Sequence, residues 1–506
     1  MTGAMTLMIQ GTASSAGKSV LVTALCRIFK QDGHRVAPFK AQNMALNSFV
    51  TPEGGEIGRA QAVQAEAAGL PPTVDMNPVL LKPTADDGSQ VIVLGKVARN
   101  ISAQEYYRYT PSLLETIIGS LNRLCSDYDI VVIEGAGSPA EINLKEREIV
   151  NMRIAKLASA PVLLVGDIDR GGVFASLVGT LELLTGEERN YVKGLVINKF
   201  RGDLSLLKPG LDFLEERTGK PVLGVVPYFR GIRIAQEDSV YLDERIIGPT
   251  ADDLDIAVIR LPHISNYDDF DPLEDEGCRV RYVTSIEELG TPHLIILPGT
   301  KSTVNDLDFL WQSGLADEIR RRAGTETPVV GICGGYQMLG KTIIDEQQVE
   351  SSTVASMGLG LLDTVTRFSP EKATRQVRAC VQTGKGLLCD LEGVELTGYE
   401  IHMGQTNSGT EGILRILATP QGPADYADGA MNARGTVLGT YLHGLFHNDA
   451  FRRGFLAALR RYWKLPEKKP GATASRERQY DRLADIVRRS LDMAQIYRIM
   501  ESGIGD

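Results

Sequence analysis

Cys333 stands in the string Gly331-Ile332-Cys333-Gly334-Gly335-Tyr336-Gln337, with the apolar run Pro328-Val329-Val330 before it and Met338-Leu339 after it. This order predicts a strand, a sharp turn and a helix, with the thiol at the turn. Small neighbours let a backbone hold a nucleophile in a strained, exposed position. The N–H of Gly334 is then expected to face an oxyanion, with the N–H of Gly299, in Leu297-Pro298-Gly299-Thr300-Lys301-Ser302, as a second donor. A thiolate nucleophile needs a base, and the histidines are 34, 263, 293, 402, 443 and 447. His443, between an apolar run and Gly444, is expected at the active face, with His402 second and His447 third.

A different chemistry is written near the start. Leu7-Met8-Ile9 reads as a strand, and Val20 to Lys30 has apolar residues at helical spacing. Between them lies Gly11-Thr12-Ala13-Ser14-Ser15-Ala16-Gly17-Lys18-Ser19. Strand, glycine loop ending in Gly-Lys-Ser, then helix is the context of a phosphate-binding loop. Backbone N–H groups of Gly11, Thr12 and Gly17 are expected to cradle ATP phosphates. Lys18 adds a cation, and the Ser19 hydroxyl suits Mg2+. Five residues separate Gly11 from Gly17, one more than the standard spacing, so the loop is a variant.

Tyr128 to Ile133 reads as a buried strand ending in Glu134, where a carboxylate would hold a nucleotide's metal ion. Further strands, at 161–165, 194–197 and 222–226, end in Gly166-Asp167-Ile168-Asp169, in Asn198-Lys199 and in Pro227. Asn198 and Lys199 suit purine-edge recognition. A polar insertion between the strand at Leu7-Met8-Ile9 and the one at Tyr128 to Ile133 carries Lys40, Gln42, Asn43, Arg59 and Lys82. Its cations are expected to pair with carboxylates of a large acceptor. Asp167 and Asp169 join the substrate-binding candidates.

Strands alternating with helical stretches predict an α/β protein of two doubly wound domains, each with a mostly parallel sheet flanked by helices. The pattern breaks at Ile247 to Asp253, so the expected units are 1–248, 252–450 and a helical tail at 451–506. Within the tail, Leu465 to Arg478 reads as a linker, and an amphipathic helix follows. The chain has 506 residues, 43% hydrophobic and 23% charged, with a net charge of −10. That balance points away from nucleic acid and from anionic membrane surfaces. Six scattered cysteines without a CxxC pair argue against a disulfide framework or a zinc site. With no leader pattern and no apolar run of about 18 residues, a cytoplasmic location is expected.

The second half, through Gly331 to Gln337 and His443, resembles the triad-type class I glutamine amidotransferases. The first half, through Gly11 to Ser19 and Glu134-Gly135-Ala136-Gly137, resembles the dethiobiotin-synthetase-like ATPases. In this order the two resemble the cobyric acid synthase family of cobalamin biosynthesis. The strings that carry the resemblance are FKAQNMALNS at 39–48, EIGRAQ at 56–61, GDIDRGGVFASL at 166–177, INKFRGD at 197–203, LPGTKST at 297–303, GYEIHMG at 398–404 and GTYLHGLFHND at 439–449.

The resemblance implies ATP-dependent amidation of the b, d, e and g carboxylates of adenosylcobyrinic acid a,c-diamide, with glutamine as nitrogen donor. Cys333 would form a thioester with glutamine, His443 would shuttle protons, and ammonia would travel inside the protein. A corrinoid carboxylate, activated as an acyl phosphate by ATP with Mg2+, would receive it. The implied partners are thus the corrinoid, glutamine and ATP; no oligomeric state is implied. One departure stands out: many class I members carry a glutamate two residues after the triad histidine, and here that residue is Leu445. Glu400 and Asp449 are the candidates to orient His443 instead. The rival readings are cobyrinic acid a,c-diamide synthase and, from a different class, a ParA/MinD-like ATPase switch. Such switches place a lysine where this loop has Thr12, and they have no use for the Cys333 turn.

Overall fold

Met5–Gly11 is the centre of a six-stranded, wholly parallel sheet in the order Val222–Pro227, Val192–Phe200, Val162–Asp167, Met5–Gly11, Ile130–Glu134, Val36–Phe39. Central strands such as Ile130–Glu134 are buried along their whole length, as a sheet covered on both faces requires. Ile9 pairs with Glu134, Gly11 with Val165, and Asp167 with Asn198, so the carboxyl ends of four strands come level. The computed structural model describes residues 3–84, 88–145, 147–229, 231–232, 254–408, 412–467 and 476–505. The break at Ile247 to Asp253 lies outside the described residues.

Val36–Phe39 corrects the sequence reading, which gives Pro38 and Phe39 to the polar insertion. They form the edge strand, paired to Ile130–Glu134 alone. An edge strand tolerates a proline because one side of the ladder needs no N–H. The insertion proper builds a four-stranded sheet (Gln42–Met44, Val79–Pro83, Gly88–Val93, Lys96–Ser102) and a ribbon (Ser48–Val50 with Glu56–Gly58). The helix Arg59–Ala68 follows the ribbon directly.

The second large sheet runs Arg279–Val283, Asp255–Ile259, Leu294–Leu297, Val329–Ile332, Val437–Thr440, Ala430–Met431, parallel except for the last pair. Ile332 pairs with Thr440, so Cys333 and His443 leave the same end of adjacent strands. A third, largely antiparallel sheet is not foreseen by the sequence reading. Its core is the long hairpin Thr364–Val381 with Glu395–Ser408, which brings His402 beside the same end.

The tail divides. Helix Asp449–Tyr462 buries Phe451, Phe455 and Leu459 in the core of the second sheet. Helices Arg476–Ser490 and Met493–Ser502 return to the first half. There Leu483, Val487, Ile496 and Met500 pack with Leu21, Leu25, Ile28 and Phe29 of helix Lys18–Gln31. Arg27 meets Asp481 at 2.7 Å, and Arg488 meets Asp32 at 2.8 Å, along that seam. Residues 468–475 of the expected linker lie outside the described residues, and Arg476 to Arg478 are already helical.

Candidate active site

The turn at Cys333 has φ 54° and ψ −109°, a region that costs a non-glycine residue about 1–3 kcal/mol and persists only where the surroundings impose it. Here the strand Val329–Ile332 ends on one side and the helix Gly334–Leu339 begins on the other. Gly335 makes the close packing possible: a Cβ there would lie 2.0 Å from the carbonyl oxygen of Leu297. The Cys333 N–H donates to Thr440 O at 2.9 Å, tying the turn to the strand that leads to His443. The thiol is 6% exposed and its Sγ lies 3.6 Å from Ile401 O.

His443 is buried, and its Nδ1 lies 2.7 Å from Asp269 Oδ2. The second oxygen of Asp269 accepts from the Gly444 N–H at 2.8 Å. With Nδ1–H committed to that carboxylate, Nε2 is left for Cys333, whose thiol favours the charged ring. Burial alone would lower the imidazole value, yet Asp269 and Cys333 raise it from 6.5 to about 10. The phenol ring of Tyr399 stacks on the imidazole at 5.2 Å, and a backbone bridge joins the two residues. A Cβ on Gly299 would sit 3.0 Å from His443 Cε1, so any larger residue there would crowd the ring.

Asp269 replaces both candidates for the orienting group. Glu400 is paired with Arg375 at 2.7 Å and accepts from Tyr426 Oη at 2.8 Å. Asp449 sits on the surface beside Arg452. The acid lies 174 residues from His443, in the short turn Tyr267–Phe270, so no local spacing connects them. The signal available is the pair Asp268-Asp269 set between Tyr267 and Phe270, acids in an otherwise burying context.

The remaining histidines fall away from the thiol's chemistry. His402 stacks on Tyr441 at 3.7 Å with Nδ1 2.7 Å from Gly404 O, and burial pushes it down to about 4. His447 Nε2 lies 3.1 Å from Asp268 O, and His34 lies against Tyr497 in the first half.

In the first half the loop from Gly11 to Ser19 and Glu134 meet at the carboxyl ends of adjacent strands. Gly17, at φ 96°, opens helix Lys18–Gln31, and a Cβ there would collide with Asn198 Nδ2. Ser19 Oγ donates to Glu134 Oε1 at 2.8 Å. Lys18 Nζ donates to Ala13 O, Ser14 O and Gly137 O at 2.9, 3.3 and 3.0 Å. Asn198 donates to Ala16 O, while Lys199 bridges Ser15 O and Asp167 at 2.8 Å each. Both side chains thus brace the loop itself. Asp169 is held by Arg201 at 2.6 Å on the surface.

The cations of the insertion are employed differently from the expectation. Lys40 meets Glu134 at 3.0 Å, Lys82 meets Glu56 at 2.7 Å, and Arg59 meets Asp268 at 3.1 Å, all of them buried. Each is spent on a carboxylate of this chain rather than turned toward a ligand. Asn43 donates to Gln61 at 2.9 Å, and Gln42 accepts from Tyr106. Glu134 is enclosed by Lys40, Gln64 and Ser19. Burial opposes its charge, and these partners still hold it below the ordinary carboxylate value. Glu56 is bound by Lys82 and also by Lys372 of the second half, at 2.5 Å. The two halves are therefore locked together through buried charge.

Comparison with known proteins agrees with this two-part geometry. Residues 7–240 match the CobQ/CobB/MinD/ParA nucleotide binding domain, and residues 255–451 match the CobB/CobQ-like glutamine amidotransferase domain. A cobyric acid synthase of Dehalococcoides mccartyi is 64% identical over 98% of this chain and 98% of its own. Those of Sorangium cellulosum and Pelotomaculum thermopropionicum are 56% and 54% identical, over 98% of this chain and 99% and 96% of theirs. With a thiol–imidazole–carboxylate site in one half and a phosphate loop in the other, matched end to end by these relatives, the chain belongs to the cobyric acid synthase family of amidoligases.

Proposed function

We propose that this chain amidates the b, d, e and g carboxylates of adenosylcobyrinic acid a,c-diamide, using glutamine and ATP. The observation that carries the reading is the pairing, in one interlocked chain, of Cys333–His443–Asp269 with the Ser19–Glu134 end of a phosphate loop. The first supplies ammonia and the second supplies activation. A carboxylate at neutral pH is too poor an electrophile to take ammonia unaided.

In the glutaminase half, the Cys333 thiolate attacks the side-chain amide carbon of glutamine, with the N–H groups of Gly334 and Gly299 assigned to the oxyanion. The His443 imidazolium gives its Nε2 proton to the departing ammonia, and Asp269 keeps the ring in the tautomer that allows this. Water then attacks the thioester, His443 takes a proton, and glutamate leaves. In the synthetase half, Gly11, Thr12, Gly17, Lys18 and Ser19 hold ATP phosphates. Asn198 and Lys199 fix the loop from below. A substrate carboxylate attacks the γ-phosphorus and ADP leaves, and ammonia then displaces phosphate from the resulting acyl phosphate.

Ser19 and Glu134 fit Mg2+. A hydroxyl and a carboxylate 2.8 Å apart at the loop's end are the oxygens such an ion takes beside phosphates and waters. Among the described residues no cluster of three or more His, Cys, Asp or Glu side chains could hold a metal alone, so the nucleotide would complete its shell. Once bound, the ion would neutralise charge on the β- and γ-phosphates. The synthetase unit is assigned to 1–248 and the amidotransferase unit to 252–450. We place the enzyme in the cytoplasm: among the described residues its six cysteines are free and no helix is long and apolar enough to cross a membrane.

Mass spectrometry of the product tests the reading. Gain of four amides on the a,c-diamide is expected. No turnover of that compound, with turnover of cobyrinic acid instead, would assign the chain to the a,c-diamide synthase reaction.

A further inference from the structure

We propose that Arg59, a residue of the nucleotide-binding half, is a positioning residue of the glutaminase. Through Asp268 it fixes the turn that carries Asp269, and so holds the triad geometry from outside the amidotransferase unit. The inference rests on the glutaminase reading of Cys333, His443 and Asp269.

Two physical routes lead from Arg59 to His443. In the first, Arg59 Nε lies 3.1 Å from Asp268 Oδ2, with both side chains 2% exposed. Neither carboxylate oxygen of Asp268 has a hydrogen bond, so the attraction of Arg59 is the main compensation for a charge taken out of water. Asp268 is bonded in sequence to Asp269, whose carboxylate holds His443 Nδ1 and Gly444 N–H. In the second, the Arg59 guanidinium lies over the Phe49 ring at 5.1 Å, Phe49 meets Tyr399 edge-on at 5.5 Å, and Tyr399 stacks on the His443 imidazole.

The start of the ribbon, Asn47 and Ser48, grips the same turn. The Arg59 N–H donates to Asn47 O, Asn47 Oδ1 accepts from the Tyr267 N–H, and Asn266 Nδ2 donates to Ser48 O at 3.0 Å. The turn is a short helical stretch, Tyr267–Phe270, opened by Asn266 in the left-handed region at φ 54°. Several of the neighbours that hold this turn belong to the other half. Removing one member of a buried pair leaves the other uncompensated, whereas replacing both by neutral groups of similar size leaves no buried charge behind. Asp268 without Arg59 must take up a proton or turn toward water, and Asp269 moves with it.

The test measures glutamate release from glutamine without corrinoid, so its outcome does not depend on which carboxylates are amidated. Arg59→Met should lower kcat by about tenfold or more with the KM for glutamine little changed. The double variant Arg59→Met/Asp268→Asn should recover to within about threefold of the unaltered enzyme, and Arg59→Lys should fall between. Amidation driven by ammonium chloride, with no glutamine, should persist in all three. An Arg59→Met enzyme with unchanged kcat would overturn the proposal. So would a double variant no better than the single one, which would mark Arg59 as a packing residue; Arg59→Lys, which keeps the charge, decides the matter if Arg59→Met does not fold. Loss of ammonium-driven amidation from the unaltered enzyme would instead count against the amidation reading.

Discussion

Replacing Asp269 by asparagine keeps the size of the side chain and removes the charge that holds His443. The carboxylate lies 2.7 Å from Nδ1, with both groups buried. At an effective dielectric constant of about 20 and a charge separation of about 4 Å, such a pair is worth about 4 kcal/mol. The rise of the imidazole from 6.5 to about 10, produced against burial by Asp269 and Cys333 together, is of the same order, about 5 kcal/mol. The sign follows from linkage. A raised imidazole value stabilises the charged pair fully below 6.5, and that stabilisation is lost as pH climbs through about 10. In the Asp269→Asn enzyme the imidazolium is no longer favoured at neutral pH. The new side-chain amide can also donate to Nδ1, which sends the ring proton to Nε2 and blocks acceptance from the thiol. Glutamate release at pH 7 should fall by about 10³- to 10⁴-fold; the roughly 4–5 kcal/mol above corresponds to about 10³, and neutralising the orienting acid of a serine triad costs about 10⁴. The alkaline limb of kcat/KM should move to lower pH. Amidation from ammonium chloride should be retained. A glutaminase within about threefold of the unaltered enzyme, with an unmoved alkaline limb, would refute the assignment of Asp269.

Cys333→Ala should abolish glutamine hydrolysis while leaving ammonium-driven amidation in place, measured as glutamate and amide release in parallel. Unchanged hydrolysis would remove Cys333 as the nucleophile. Lys18→Ala should lose ATP-dependent amidation yet keep glutaminase activity, and loss of both would argue against separable sites. Leu483→Ala, in the helix that returns to the first half, should cost about 2–5 kcal/mol in denaturant unfolding of that half, since Leu483 is wholly buried against helix Lys18–Gln31.

Both candidate sites were legible where they are local. The turn at Cys333 and the loop from Gly11 to Ser19 announce themselves by glycine spacing between a strand and a helix, because those backbones demand it. His443 could be picked by its place after an apolar strand. Asp269 could not, because the carboxylate and the imidazole are brought together across 174 residues and the sequence records no distance. The employment of Lys40, Arg59 and Lys82 was hidden for the same reason. A cation in a polar stretch looks available until the fold sets Glu134, Asp268 or Glu56 beside it. Edge strand Val36–Phe39 was obscured by its own proline. The long hairpin Thr364–Val381 with Glu395–Ser408 was obscured by a bulge between Phe368 and Ala373 that breaks its alternation. The return of the last helices to the first half depends on which apolar face is left uncovered there, a property of the folded unit alone.

Central to this account is a single chain in which glutamine nitrogen, freed at Cys333, reaches carboxylates activated at the phosphate loop. The most direct measurement supplies glutamine labelled with 15N in its amide, ATP, Mg2+ and the a,c-diamide, in the presence of excess unlabelled ammonium. 15N is expected in all four new amides of the product. A product whose amides carry the unlabelled ammonium nitrogen would contradict it.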